Sequence, residues 1–189
     1  MKIEKRKLYF VVSIVLALAF VSFLYFNGAG SVSEKTSGPT LKEVQVRFSV
    51  LSNARTNLCA SPSAIYNQKA DYLQGSCCAP MVLSQYEKQI EGLKEYRKID
   101  VIPKDPYNVS FELAQRLLGY EDNIKLTSQE QAIYDGAVEM SEDHGPCCCK
   151  CWRWYAFEGL AKYLITEYNY NSSEIAEVWE LVDGCGGGG

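Results

Sequence analysis

Apolar positions along this chain fall into three regimes. From Leu8 to Phe26 they form a continuous run of 19 residues without a charge. As a helix this run spans about 28 Å, close to the hydrocarbon thickness of a bilayer. From Thr40 to Asp183 apolar residues recur at helical spacing, punctuated by capping residues, glycine and proline. Between Gly28 and Pro39 they give way to Gly, Ser and Thr, the composition of a flexible tether.

Within the second regime the pattern predicts a succession of helices. Thr40-Leu41-Lys42-Glu43 reads as a capping box, opening a helix with Leu41, Val44, Phe48 and Leu51 on one face. Val44, Val46, Phe48 and Val50 also alternate as a strand would; the cap decides for helix. Ser61 to Leu73 is expected to form a short helix. Pro80 to Arg97 forms a longer one, with proline in its permitted first-turn place and Val82, Tyr86, Ile90 and Leu93 on one face. Pro103 and Pro106 make Asp100 to Asn108 a loop. Ser110 caps a helix through Leu118, and Thr127-Ser128-Gln129-Glu130 is a second capping box, leading Ile133, Ala137 and Met140. His144-Gly145-Pro146 ends that helix and starts another to about Tyr168; Asn171 to Glu174 caps a last one, which Gly184 terminates.

The expected architecture is therefore all-α: a small, compact, cysteine-rich domain of five to seven helices behind one N-terminal transmembrane helix. Its segments are a basic cytoplasmic stretch (1–7), the membrane anchor or signal peptide (8–26), a tether (27–39), the helical domain (40–184) and a Cys/Gly tail (185–189) expected to be mobile unless its cysteine is tied down. Lys2, Lys5, Arg6 and Lys7 precede the apolar run, so the positive-inside rule places the N-terminus in the cytoplasm and the domain outside, on a single-pass anchor in the cell membrane. The run exceeds the usual core of a cleaved signal, which favours an uncleaved anchor. Removing those four residues and Glu4 from totals of 19 basic and 23 acidic side chains leaves a net charge of about −7. Nucleic acid is a poor partner for such a domain, whereas a cation is allowed.

Candidate chemistry is concentrated in the cysteines: Cys59, Cys77, Cys78, Cys147, Cys148, Cys149, Cys151 and Cys185. Outside the cytoplasm an even count reads first as a disulfide framework. Adjacent cysteines are too close along the backbone to bridge each other, so Cys147, Cys148 and Cys149 must look elsewhere, as must Cys77 and Cys78. Four cysteines lie in the 147–151 cluster and four outside it, which permits four cluster-to-outside bridges.

The second reading is a metal–thiolate site. With Pro146 as first helical residue, the cluster would occupy a helix's first turn, where the dipole and nearby Lys150 and Arg153 favour thiolates. Cys147 and Cys151, or Cys148 and Cys151, would then share a face. Cys147, Cys148, Cys149 and Cys151, completed by Cys77 and Cys78, would suit a soft ion such as copper(I) or zinc. His144 is the sole histidine and reads as an exposed loop residue rather than an auxiliary ligand. A third reading, thiol–disulfide exchange, rests on Cys148-Cys149-Lys150-Cys151 as a C-x-x-C, without the strand–helix context of such enzymes. With no phosphate loop, dinucleotide fingerprint or serine elbow, no catalytic residue is assigned, and the chain leans away from being an enzyme.

Pro146-Cys147-Cys148-Cys149-Lys150-Cys151 fits P-C-x-C-x-C, with Tyr134 to Ala137 upstream as Y-x-x-A. Over its C-terminal third the chain thereby resembles membrane-anchored proteins with a PCYCGC-type motif. It departs from them at Cys148, where they have tyrosine, at Lys150, where they have glycine, and in having no counterpart of their later histidine region. The resemblance implies an exported, anchored, metal-binding protein. Trp152, Tyr155 and Tyr163 on one stripe, with Trp154, Phe157 and Ile165 on another, are expected to form core beside the thiols. Asn108-Val109-Ser110 and Asn171-Ser172-Ser173 match glycosylation sequons and serve equally well as helix caps.

Overall fold

A computed structural model describes residues 38–67 and 71–187. The apolar run 8–26, its basic flank and most of the tether lie outside the described residues. Among the described residues no helix is long and apolar enough to cross a membrane.

Seven helices and one short hairpin-like ladder are described. They are α1 (Leu41–Leu51), α2 (Pro62–Asn67), β1 (Tyr72–Gln74), α3 (Leu83–Gly92), β2 (Asn108–Ser110), α4 (Phe111–Asn123), α5 (Ser128–Met140), α6 (Trp152–Tyr168) and α7 (Ser172–Val182). Three of them open as the sequence predicts. Thr40, Thr127 and Asn171 each accept from the backbone amide three residues on, while Glu43, Glu130 and Glu174 reach back to the cap's own amide. In α1 the cap outweighs the alternating pattern: Val44 and Leu51 are buried, while Val46 and Val50 face outward.

Several expectations change. Of the helix expected over Ser61–Leu73 the described residues show α2, and Leu73 instead pairs antiparallel with Val109 and is fully buried there. The fold is thus mostly helical with one two-stranded ladder, Tyr72 facing Ser110 and Gln74 facing Asn108. Pro80 is not a first-turn residue; α3 begins at Leu83 after an extended Val82, and residues past Gly92 continue as turns. Helix α6 begins six residues later than expected, at Trp152 and not at Pro146, so the whole cysteine run lies outside it.

Helix α6 is the axis of the domain. Trp152, Ala156, Phe157, Leu160, Ala161 and Leu164 are fully enclosed, with α4, α2, α5 and α7 packed around them. Gly159 makes the closest approach: a Cβ there would stand 2.0 Å from the Leu117 carbonyl oxygen of α4. Trp179 of α7 donates its indole N–H to the Phe157 carbonyl at 3.0 Å, which satisfies the one polar atom of a large buried ring. A second, smaller core lies between α1 and α3, built from Val44, Leu51, Met81, Tyr86, Ile90 and Tyr107. Burying side chains of this size contributes about 1.5–3 kcal/mol each.

Candidate metal centre

Four loops meet at the N-terminal end of α6. The first is fastened by a single residue: Trp152 donates its backbone N–H to the Ala60 carbonyl at 2.8 Å and its indole N–H to the Leu58 carbonyl at 3.1 Å. The intervening Cys59 is therefore held over the cysteine run. The second and fourth loops are laced together. Cys77 N–H donates to Gly184, Cys78 and Ala79 N–H both donate to the Cys185 carbonyl, and Gly187 N–H donates to Pro80. Gly186 permits this lacing; its φ of +79° suits glycine, and a Cβ would lie 2.0 Å from the Ala79 oxygen.

The end of α7 is anchored from two sides, which fixes Cys185. Carbonyls at a helix C-terminus lack partners within the helix. Here Val182 accepts from Arg153 Nη1 at 3.2 Å and Asp183 accepts from Gln89 Nε2 at 2.7 Å. The C-terminal tail up to Gly187 is thus tied down, and Cys185 is buried.

The third loop carries the cysteine run. Ser141 Oγ accepts from Gly145 N–H at 2.8 Å, and Gly145 at φ +151° turns the chain under Trp154. Cys151 is the N-cap of α6 in extended backbone. Cys147 to Cys149 precede it as turns, so the spacing argument for shared helix faces does not apply. The irregular backbone lets successive thiols point to different neighbours, which a helical turn would not.

All eight thiols converge. The six expected ligands, Cys77, Cys78, Cys147, Cys148, Cys149 and Cys151, are brought together, and Cys59 and Cys185 join them. Sγ–Sγ separations are 2.7 Å for Cys147–Cys185, 3.2 Å for Cys59–Cys149, and 3.5 Å for Cys77–Cys78. They are 3.8 Å for Cys77–Cys185, 3.8 Å for Cys78–Cys148 and 3.9 Å for Cys78–Cys149. A disulfide needs about 2.05 Å, and every cysteine is free. A tetrahedral ion with metal–sulfur bonds of about 2.3 Å separates its sulfurs by about 3.8 Å, the range most of these pairs occupy. Three-ligand groups within 4.8 Å of one another are Cys59/Cys78/Cys149, Cys77/Cys78/Cys185, Cys147/Cys148/Cys149 and Cys147/Asp183/Cys185. His144 is exposed and belongs to none of them.

Proton placement within the cluster is uneven. The Cys147 thiol, surrounded by Cys151, Cys185 and Cys77 and buried, is pushed far up. Cys151 and Cys185, through their interactions with the Cys147 and Cys77 thiols, are driven well below an ordinary thiol. Cys151 also caps α6, where the helix dipole favours negative charge. Burial raises Asp183 to about 7, with the neighbouring Cys185 charge adding to the effect. Arg153 is the positive counterpart: it is 0% exposed, donates to Pro106 and Val182, and stacks over Trp152 and Phe157 at 5.1 and 5.4 Å. Among the described residues it forms no ion pair.

A cleft of about 300 Å³ opens onto the thiols Cys78, Cys148 and Cys185 and is walled by Glu142, Asp143, Glu180 and Asp183. The sequence contained two signals for the additional thiols Cys59 and Cys185: the even thiol count, and the match of four cysteines inside the run by four outside it. Asp183 had none, since only the fold brings it beside Cys147. No family model matches the chain, and neither the curated proteins nor the solved structures contain a match to it.

Proposed function

We propose that this protein is a membrane-tethered, extracytoplasmic thiolate protein that binds a soft metal ion, copper(I) or zinc, and holds it or hands it on. One observation carries the reading: thiols from four separated loops, each fastened by its own hydrogen bonds, meet at one end of a buried helix. Convergent soft donors with tetrahedral spacing suit such ions better than hard cations. The acidic cleft supports it further, because its carboxylates attract cations toward the exposed thiols. Trp154 packs against the cluster and, with Lys150 over its ring at 5.2 Å, shields one side from water. The test is elemental analysis of the full chain, purified reduced and without oxygen. Copper or zinc retained through gel filtration supports the reading, and Cys148→Ser/Cys151→Ser should lower the amount retained. A metal-free protein that also fails to take up either ion on addition sinks it.

A disulfide framework is the second reading, favoured by the neighbour relations. Three cysteines outside the run have a partner within it, Cys59 with Cys149, Cys78 with Cys148 and Cys185 with Cys147, and the fourth, Cys77, packs against the buried cluster that contains Cys151. Thiol counting in denaturant separates the two. Eight reactive thiols after chelation support the metal centre, and none supports the framework.

A further inference from the structure

The eight thiols divide by exposure, and the two shortest sulfur–sulfur contacts each fall within one half, while the groups Cys77/Cys78/Cys185 and Cys147/Cys148/Cys149 join the halves. Cys147 and Cys185 touch at 2.7 Å, Cys77 stands 3.8 Å from Cys185, and Cys151 packs in the same buried cluster with them. Three of these four are buried and the fourth, Cys77, is partly so. Cys59 and Cys149 touch at 3.2 Å, and Cys78 reaches Cys149 and Cys148 at 3.9 and 3.8 Å. Three of this second four are exposed, with Cys149 partly covered. The run thus sends alternate parts to the two sets: its ends, Cys147 and Cys151, inward, and its middle, Cys148 and Cys149, outward. Cys77 and Cys78 are split the same way, 3.5 Å apart.

From this division, and resting on the metal-binding reading above, we infer that the centre takes two soft ions in unlike sites: an inner site of Cys77, Cys147, Cys151 and Cys185, and an outer site of Cys59, Cys78, Cys148 and Cys149. Four thiolates are a complete tetrahedral shell for zinc, so each set is sufficient alone. Binding each Zn(II) replaces up to four S–H bonds with Zn–S bonds and releases the protons to solvent. A tetrathiolate zinc site carries two negative charges. The buried Arg153, whose guanidinium lies against Gly184 beside Cys185, supplies positive charge on the inner side. The acidic cleft is lined by Cys78 and Cys148 of the outer set and by Cys185 of the inner one. With three of its four ligands buried, the inner ion is held behind protein, and the outer one, with three ligands exposed, faces solvent and can be exchanged.

The experiment is native mass spectrometry of the reduced full chain in mild detergent, loaded with Zn(II), followed by release to a chromogenic chelator. Two ions per chain, leaving in two resolved phases, is the expected result. Cys59→Ser/Cys149→Ser, both on the accessible side, should lose the fast-leaving ion and keep the slow one, with an unchanged circular dichroism spectrum. One ion per chain overturns the two-site inference and leaves the metal-binding reading standing. Two ions released in a single phase, or loss of both in the outer variant, overturns the division into inner and outer sites. No bound zinc, with none of copper(I) either, overturns both readings.

Discussion

Arg153 carries a permanent charge into the middle of the molecule, and its partners there are backbone carbonyls and aromatic faces. Replacing it with methionine keeps much of the volume but leaves the Val182 and Pro106 carbonyls unpaired. A loss of about 1–3 kcal/mol is expected, read from the denaturant midpoint. If the thiolate centre supplies the balancing charge, the loss should be larger for zinc-loaded protein than for metal-free protein. Asp105 is a second buried charge, accepting from Tyr86 Oη at 2.6 Å and Tyr107 N–H at 3.0 Å. Burial raises its pKa above the usual 3.8 despite these bonds. The folded state then holds the proton more tightly than the unfolded one. Its contribution is fully present below 3.8 and is lost as pH rises through the folded value. Asp105→Asn should flatten that part of the stability profile; an unaltered slope as pH rises above 3.8 in metal-free protein would contradict the assignment.

At the scale of elements, the crossing of α4 and α6 is set by Gly159. A methyl group there meets the Leu117 carbonyl, backbone that cannot swing aside. Gly159→Ala should destabilise by about 1–3 kcal/mol through overpacking, outweighing alanine's better helix propensity. Thr127→Ala removes an exposed capping box and should cost about 1 kcal/mol, visible as a lower melting temperature with metal content unaffected. Such caps were legible in the sequence because they are local: side chain and amide lie three residues apart at Thr40, Thr127 and Asn171. The start of α6 was not legible. Pro146 looked like a first-turn proline, but hydrogen bonds from Trp152 to the distant Leu58 and Ala60 begin the helix later. Leu73 escaped for the same reason, its conformation being decided by Val109 across the ladder.

For the molecule as a whole, the cleft walls and the thiols form one electrostatic system. Glu142, Asp143 and Glu180 are exposed and are not required as ligands, so Glu142→Gln/Asp143→Asn/Glu180→Gln should preserve ion stoichiometry. It should slow zinc uptake by about tenfold at low ionic strength and weaken its salt dependence, as stopped-flow loading can measure. Unchanged rates would remove the cleft from the loading path. Six of the clustered cysteines, four in the run and the distant pair Cys77 and Cys78, were singled out in the sequence as soft donors. Cys59 and Cys185 stood alone in the sequence, and only long-range lacing of loops 58–60, 77–80 and 184–187 brings them in.

That lacing has a bearing on biosynthesis. Cys59 leaves the ribosome long before Cys185, and seven of the eight sulfurs emerge ahead of the one that completes the buried group. A growing chain must carry those reactive groups unpaired until α7 has been made and the 184–187 segment has docked on residues 77–80. Any chain interrupted before that moment exposes loose loops and uncapped sulfur to oxidation and proteases, so the finished centre certifies that the entire domain has been synthesised.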